Sequence, residues 1–264
     1  MSTLRIAHLS DPHFGTVLPE VEERLIATLR SLKPDLVLMS GDITQRARPA
    51  QFQAAAAFKK KMAPFPFFAV PGNHDIPLFN LFARLFYPYR GFHKYFQAAR
   101  ETDFRIGDVR VIGLNSTSRW HHVQGSLDLA RIKEEFLSNW DTSKIRVAMV
   151  HHPIECAKDV DDKNRLRGKD ETLALFREAQ IDLVLSGHVH DPYIEVEGSL
   201  VLSVAGTCLS WRIRKGAPNS FNWIEIQADP KRIKITRMDS TPDGLYLPRA
   251  DFTREFRFEQ GRWG

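Results

Sequence analysis

Short apolar runs alternate with longer amphipathic segments through the first two thirds of the chain. Residues 4–10, 35–40 and 66–70 read as buried strands, each closed by turn-forming residues: Asp11-Pro12, Gly41 and Pro71-Gly72. Between them, Val21, Leu25, Ile26, Leu29 and Leu32 recur at helical spacing, which predicts a helix over residues 21–32. The alanine-rich run 49–62 begins at Pro49, a residue that suits the first helical turn. The same alternation continues with strands at 109–115, 145–150 and 182–186 and helices at 126–140 and 170–179. After Gly187 only strand-like runs remain, at 193–196, 200–205, 222–227 and 231–238, followed from Thr241 by a polar tail with scattered aromatics. Strands alternating with helices predict an α/β fold with a mixed or parallel sheet.

Residues 76–105 break this rhythm. They are crowded with aromatics and arginine and read as an amphipathic helix followed by a loop, packed on the sheet or capping a site. Tyr87, Tyr89, Arg90, Phe92 and His93 are candidates to stack on a base or seat a second phosphate; singly, each also fits ordinary packing.

Candidate chemistry stands where the predicted strands end. Asp11-Pro12-His13 follows the first, Gly41-Asp42 the second and Gly72-Asn73-His74-Asp75 the third. His151-His152 and Gly187-His188-Val189-His190 follow two later ones. In open α/β sheets the carboxyl ends of the strands are where ligands bind. Carboxylates, imidazoles and an amide oxygen suit a pair of Mn, Fe or Zn ions better than Mg or Ca. Alternate residues of an extended chain point the same way, so Asp11 and His13 can reach one ion together, and the same spacing puts His188 and His190 side by side. A single carboxylate such as Asp42 can bridge two ions. His8, inside the first strand, reads as a buried, hydrogen-bonded histidine.

Composition narrows the function classes. The chain has 264 residues, 43% hydrophobic and 26% charged, which excludes general disorder and low-complexity structure. We read residues 1–264 as one domain with 76–105 as a candidate cap. Two cysteines, Cys156 and Cys208, are too few for a disulfide framework or a structural zinc cage. No apolar run is long enough for a membrane helix, and the opening residues lack the pattern of a signal peptide, so a cytoplasmic location is expected. The net charge of +5 suits a small anionic substrate, while the absence of a long Lys/Arg stripe argues against a nucleic-acid polymer. Oligomeric state is open, a homo-oligomer included.

The blocks D-x-H, G-D, G-N-H-D, H-H-P and G-H-x-H, spread over residues 11–190, resemble the calcineurin-like metallophosphoesterase family. The opening R-I-A-H-L-S-D-P-H-F is similar to its class III cyclic nucleotide phosphodiesterase branch. The resemblance implies a four-layer α/β/β/α sandwich of two mixed sheets flanked by helices, with the metal site at the carboxyl ends of the strands. It implies one ion on Asp11, His13 and His190, another on Asn73, His151 and His188, and Asp42 bridging them. His74 would lie beside the scissile phosphate, oriented by Asp75, and His152 would sit behind the ligands or face substrate. The implied activity is hydrolysis of small phosphodiesters, such as cyclic nucleotides or glycerophosphodiesters, by a metal-bridging hydroxide. A phosphomonoesterase or nucleotide pyrophosphatase on the same metals is the alternative. A nuclease lacks its basic stripe, and a degenerate scaffold would usually lack one of the seven ligands.

Further substrate contacts are expected from His121, His122 and Arg119 in the loop 118–125, and Arg165, Arg167 and Lys169 are candidate anion guides; each also fits a solvated loop. No fixed Arg or Lys is found near the motifs, the remaining candidates Arg90, Arg119 and Arg167 sitting in loops, which favours a singly charged diester over a monoester, and the aromatic run 79–95 is suited to an apolar or nucleoside arm.

Overall fold

The computed structural model describes residues 3–96, 102–138, 143–214, 216–242 and 245–264. Its first half runs β1 (Leu4–Leu9), α1 (Pro19–Leu32), β2 (Leu36–Met39), α2 (Pro49–Lys61) and β3 (Phe67–Ala69), then a single 3-10 turn at Asn73–Asp75. Two short helices follow, α3 (Leu81–Phe86) and α4 (Arg90–Tyr95), and then β4 (Thr102–Ile106), β5 (Val109–Gly113), α5 (Leu129–Ser138) and β6 (Ile145–Met149). The rest is α6 (Lys169–Glu178), β7 (Leu183–Ser186), β8 (Tyr193–Glu197), β9 (Leu200–Val204), β10 (Ser220–Ala228), β11 (Lys231–Ser240), β12 (Tyr246–Glu259) and β13 (Arg262–Trp263).

The strands form two mixed sheets, ordered β13-β12-β11-β10-β1-β2-β3 and β4-β5-β6-β7-β9-β8. The two-residue period of a strand sorts their side chains. Ile6, Leu36, Leu38, Val147 and Leu183 point into the core between the sheets, while their neighbours Ala7, Val37 and Met39 face α1 and α2, and Ala148 and Val184 face α6. Both faces of the central strands are thus buried, which is why they read as continuous apolar runs. Helices cover the two outer faces, giving the four-layer α/β/β/α sandwich expected.

Two segments differ from the sequence reading. Segment 76–105 holds two short helices and an edge strand rather than one helix and a loop. The polar tail contains a 14-residue strand, β12, paired antiparallel with β11. One of its faces is in solvent and its burial rests on a few residues such as Tyr246 and Phe256, so its apolar signal is weak. The last two residues of the helix expected at 126–140 lie outside the described residues. No helix among the described residues is long and apolar enough to cross a membrane.

Candidate metal centre

Strands β1 and β2 are parallel neighbours, and the chain beyond them stays paired. Asp11 N–H donates to the Gly41 carbonyl (3.1 Å), His13 N–H to Asp42 (3.0 Å) and Phe14 N–H to Ile43 (2.8 Å). This brings Asp11, His13 and Asp42 to one place. Five of the seven expected ligands, Asp11, His13, Asp42, His188 and His190, have φ between 47° and 72°, in the left-handed region. Non-glycine residues there cost about 1–3 kcal/mol each and cluster at functional sites. Gly41 allows the close approach of strand ends: a Cβ on it would lie 2.6 Å from His151 Nδ1.

The donor atoms converge. His13 Nε2 lies 2.9 Å from His190 Nε2 and 3.8 Å from Asp11 Oδ1, and His190 Nε2 is 3.3 Å from the same oxygen. Asp42 faces both sides, with Oδ2 3.7 Å from His13 Nε2 and Oδ1 3.3 Å from His151 Nε2. Asn73 Oδ1 is 3.0 Å from His151 Nε2, and the His188 ring centroid is 5.1 Å from that of His151. His152 shares the cluster with His151 and His188.

This donor set fits metal ions. His151 Nδ1–H donates to the Ser40 carbonyl (2.8 Å) and His190 Nδ1–H to that of Arg212 (2.6 Å), turning each Nε2 lone pair inward. Both ring nitrogens of His188 and Asp11 Oδ1 are buried without a hydrogen-bond partner. Buried acceptors facing one another are unfavourable unless a cation satisfies them. Burial alone would lower the His151 pKa, but Asp42 and Asp11 outweigh it and raise it to about 9. Asp11 likewise raises His190 against the effect of burial. Burial lowers His188 to about 3. Protons on His151 and His190 therefore compete with a metal ion for the same carboxylates. His8 is buried with Nε2 2.9 Å from Ser40 Oγ, as expected, and burial pushes it to about 3.

Around this centre, His74 Nε2 lies 4.0 Å from Asp42 Oδ2, and its Nδ1–H donates to the Gln45 carbonyl (2.8 Å). A cleft of about 420 Å³ opens above, lined by Asp42, Asn73, His74, His122, His188, His190, Arg212 and Arg214 among others. The Arg212 guanidinium is 3.2 Å from both ring nitrogens of His13 and donates to Gln45 Oε1 at 3.1 Å.

A family model described as Calcineurin-like phosphoesterase matches residues 4–192. The chain belongs to this family. Calcineurin-like phosphoesterases use divalent metal ions, and the chain is a hydrolase of phosphoesters. It is 26% identical over 209 residues to a "probable cyclic nucleotide phosphodiesterase" of Synechococcus sp., covering 74% of this chain and 77% of that one. It is 31% identical to a "probable glycerophosphodiester phosphodiesterase" of Arcobacter nitrofigilis, over 60% of this chain and 57% of the relative's length. Its fold is similar to that of a dimetal phosphatase from Danio rerio (TM-score 0.65, 12% identity, 93% of this chain and 98% of the other).

The phosphoesterase fold brings all seven expected ligands together with His74. Asp75 does not orient His74. Its carboxylate accepts from the N–H groups of Ile43 (3.1 Å), Thr44 (2.7 Å) and Gly72 (2.9 Å) and so fixes the turn that carries Asp42. The orienting group is Gln45, which the sequence reading missed. Burial and the Asp42 charge raise the Asp75 pKa to about 7, against those three donors.

Arg212 was also missed, and it corrects the expectation that no cation is fixed near the motifs. It lies in the segment 205–219 between β9 and β10. β9 is parallel to β7, and β10 starts where β1 ends, so this segment crosses from one sheet to the other over the strand ends. Cys208 N–H donates to the Ser10 carbonyl (3.0 Å) beneath the site.

Of the expected substrate contacts, His152 is buried against Ser116 Oγ (2.9 Å), and His121 is exposed while its neighbour His122 lines the cleft, 5.2 Å from the His74 ring. Arg119 turns away to donate to the Leu85 carbonyl (2.5 Å). Arg165 and Lys169 pair with Glu155, and Arg167 N–H donates to the Gly125 carbonyl (2.9 Å). Tyr89 bonds Thr117 and Phe92 is in the core, whereas Tyr87 and Arg90 line a separate groove.

Proposed function

We propose that this phosphoesterase hydrolyses small phosphodiesters at a pair of metal ions. Asp11, His13 and His190 would hold one ion, and Asn73, His151 and His188 the other. Asp42 would sit between them, a role supported by its two oxygens facing His13 and His151 separately. The imidazole-rich set suits manganese, iron or zinc. Bound there, the ions supply Lewis-acid polarisation of the phosphoryl oxygens and a more acidic water. The chain's own residues do the rest. His74, held at Nδ1 by Gln45, presents Nε2 to the phosphate and, protonated there, gives its proton to the leaving oxygen. Arg212 binds a non-bridging oxygen.

The preference for a diester rests on the charge at the mouth. Arg214 is committed to Asp191 (2.5 Å) and Asp159 (2.9 Å), and Asp161 to Lys163 (2.9 Å). Among the described residues lining the cleft, Arg212 is the one cation without a carboxylate partner. A diester brings one negative charge, which Arg212 can meet, and a monoester two, the second of which finds no further unpaired Arg or Lys among the described residues lining the cleft. Turnover of bis-para-nitrophenyl phosphate and para-nitrophenyl phosphate by the manganese-loaded protein tests this, with higher kcat/KM expected on the diester. Equal or better turnover of the monoester, with two ions bound, transfers the reading to a phosphomonoesterase. One ion per fully active chain removes the dinuclear site.

A further inference from the structure

Helix α3 is built inside out. Its charged residue, Arg84, is buried, donating to the carbonyls of Arg119 (2.7 Å), Ser118 (3.4 Å) and Pro77 (3.4 Å). Leu81, Phe82 and Phe86 are 68%, 65% and 63% exposed, and Phe79 just before the helix is 77% exposed. An amphipathic helix ordinarily shows the reverse arrangement. The Phe82 ring meets those of Phe86 and Tyr87 at 4.8 and 6.1 Å, so the exposed rings are contiguous. Apolar exposure of this kind marks a binding surface.

Part of this surface walls a groove of about 730 Å³ lying between α3, α4 and the start of α2. Pro77, Leu78, Phe79, Phe82 and Tyr87 supply apolar walls, and Arg46, Arg48, Arg90 and Lys94 supply positive charge. No acidic side chain lines it among the described residues. Asn80, its amide, uses its Oδ1 to cap α3 by accepting from Ala83 N–H (2.9 Å). The groove is separate from the cleft at the metal centre but adjoins it along the chain: Arg46 follows Gln45, which holds both His74 and Arg212, and Pro77 lies three residues beyond His74.

We infer that this groove takes the hydrocarbon arm of an anionic amphiphile, so that the phosphoester hydrolysed carries a long alkyl or acyl chain. The substrate assignment rests on the phosphodiesterase reading; the binding site does not. Apolar walls match the chain, and the four lining cations, with no acidic side chain among the described lining residues, match the anionic head.

Calorimetry with octyl, decyl and dodecyl phosphate below their micelle concentrations, on the full chain with and without chelator, tests the site. Affinity is expected to rise up to about fourfold per methylene, the factor that ~0.8 kcal/mol per buried CH₂ corresponds to. Dodecyltrimethylammonium, with the same tail and the opposite charge, is expected to bind more weakly. Phe79→Ser and Phe82→Ser are expected to weaken dodecyl phosphate binding by about tenfold, with metal content and Tm unchanged because both rings are exposed. A flat series, equal binding of the ammonium amphiphile, or binding untouched by both substitutions overturns the site. Adsorption to phosphatidylglycerol vesicles without binding of the soluble amphiphiles also overturns it and assigns the rings to a bilayer surface. The substrate is tested separately with para-nitrophenyl alkyl phosphodiesters of growing chain length. Turnover that ignores chain length overturns the substrate assignment while the phosphodiesterase reading stands. Chain-dependent binding with no diester turned over retains the site and removes that reading.

Discussion

The metal centre and the face of α3 invert the usual partition of side chains in opposite senses. At the centre, polar groups are buried without partners: both nitrogens of His188 and one oxygen of Asp11. On α3, apolar rings are exposed to solvent, with Phe82 meeting only other rings of the same surface, Phe86 and Tyr87, in its ring contacts, while the helix's arginine is inside. Either inversion costs free energy in the isolated chain, through unmet hydrogen bonds in one case and apolar hydration in the other. Each is relieved by a ligand of the complementary kind, a cation in the first and a hydrocarbon chain in the second. The two regions also differ in how they are held. Paired backbone segments and left-handed residues lock the centre in place. The face of α3 depends on Arg84 tying a six-residue helix to the loop that carries Ser118 and Arg119.

The sharpest way to break the first inversion is to remove its central charge. Asp42→Ala is expected to abolish activity and to leave less metal bound, read by elemental analysis of the purified protein; full metal content with full activity would displace Asp42 from the centre. His74→Ala separates chemistry from metal binding. A fall of about 10²–10⁴ in kcat with metal content intact is expected of a proton donor, and loss of metal would make His74 a ligand instead. Arg212→Ala is expected to lower kcat/KM by about 10–150-fold, the worth of a charged hydrogen bond. Arg212→Lys should recover only part, because a point charge replaces a planar fork.

Protons sharpen the same comparison. His151, raised to about 9, is protonated at pH 7 and must lose that proton to ligate. Metal uptake at pH 7 should release protons, seen as a buffer-dependent heat, and affinity should climb with pH and level off above about 9. In the metal-free protein the attraction of protonated His151 to Asp42 and Asp11 contributes stability that is complete below pH ~6.5 and lost as pH rises through about 9. Buffer-independent heats would remove His151 from the ligand set. The smallest effect is expected on the second inversion. Phe82→Ser should change stability by no more than ~0.5 kcal/mol, while Phe92→Ala, in the core, should cost about 3–5 kcal/mol in denaturant unfolding. Comparable losses at both would mean that Phe82 is covered in solution.

Much of the candidate site is legible in the sequence because its parts are local. A run such as Leu36–Met39 followed by Gly41-Asp42 states both a buried strand and a donor at its carboxyl end, and five such ends carry every ligand proposed. The continuous apolar runs alternating with helical segments likewise determined the α/β class, since strands buried on both faces need cover on each side, while the two-sheet sandwich was implied by the family resemblance. Other features were decided only by tertiary structure. Arg212 stands 22 residues beyond His190, and no local pattern marks it. It reaches the site because β9 and β10 belong to different sheets and their link must cross the strand ends. The choice of His122 over His121 at the cleft depends on how that loop is tied down. The outward face of α3 has the composition of a buried helix; only the burial of Arg84 by a loop some 34 residues away turns its phenylalanines to solvent. Residue type and spacing are properties of the local chain, whereas these placements depend on contacts between distant segments, which exist only once the sheets have formed.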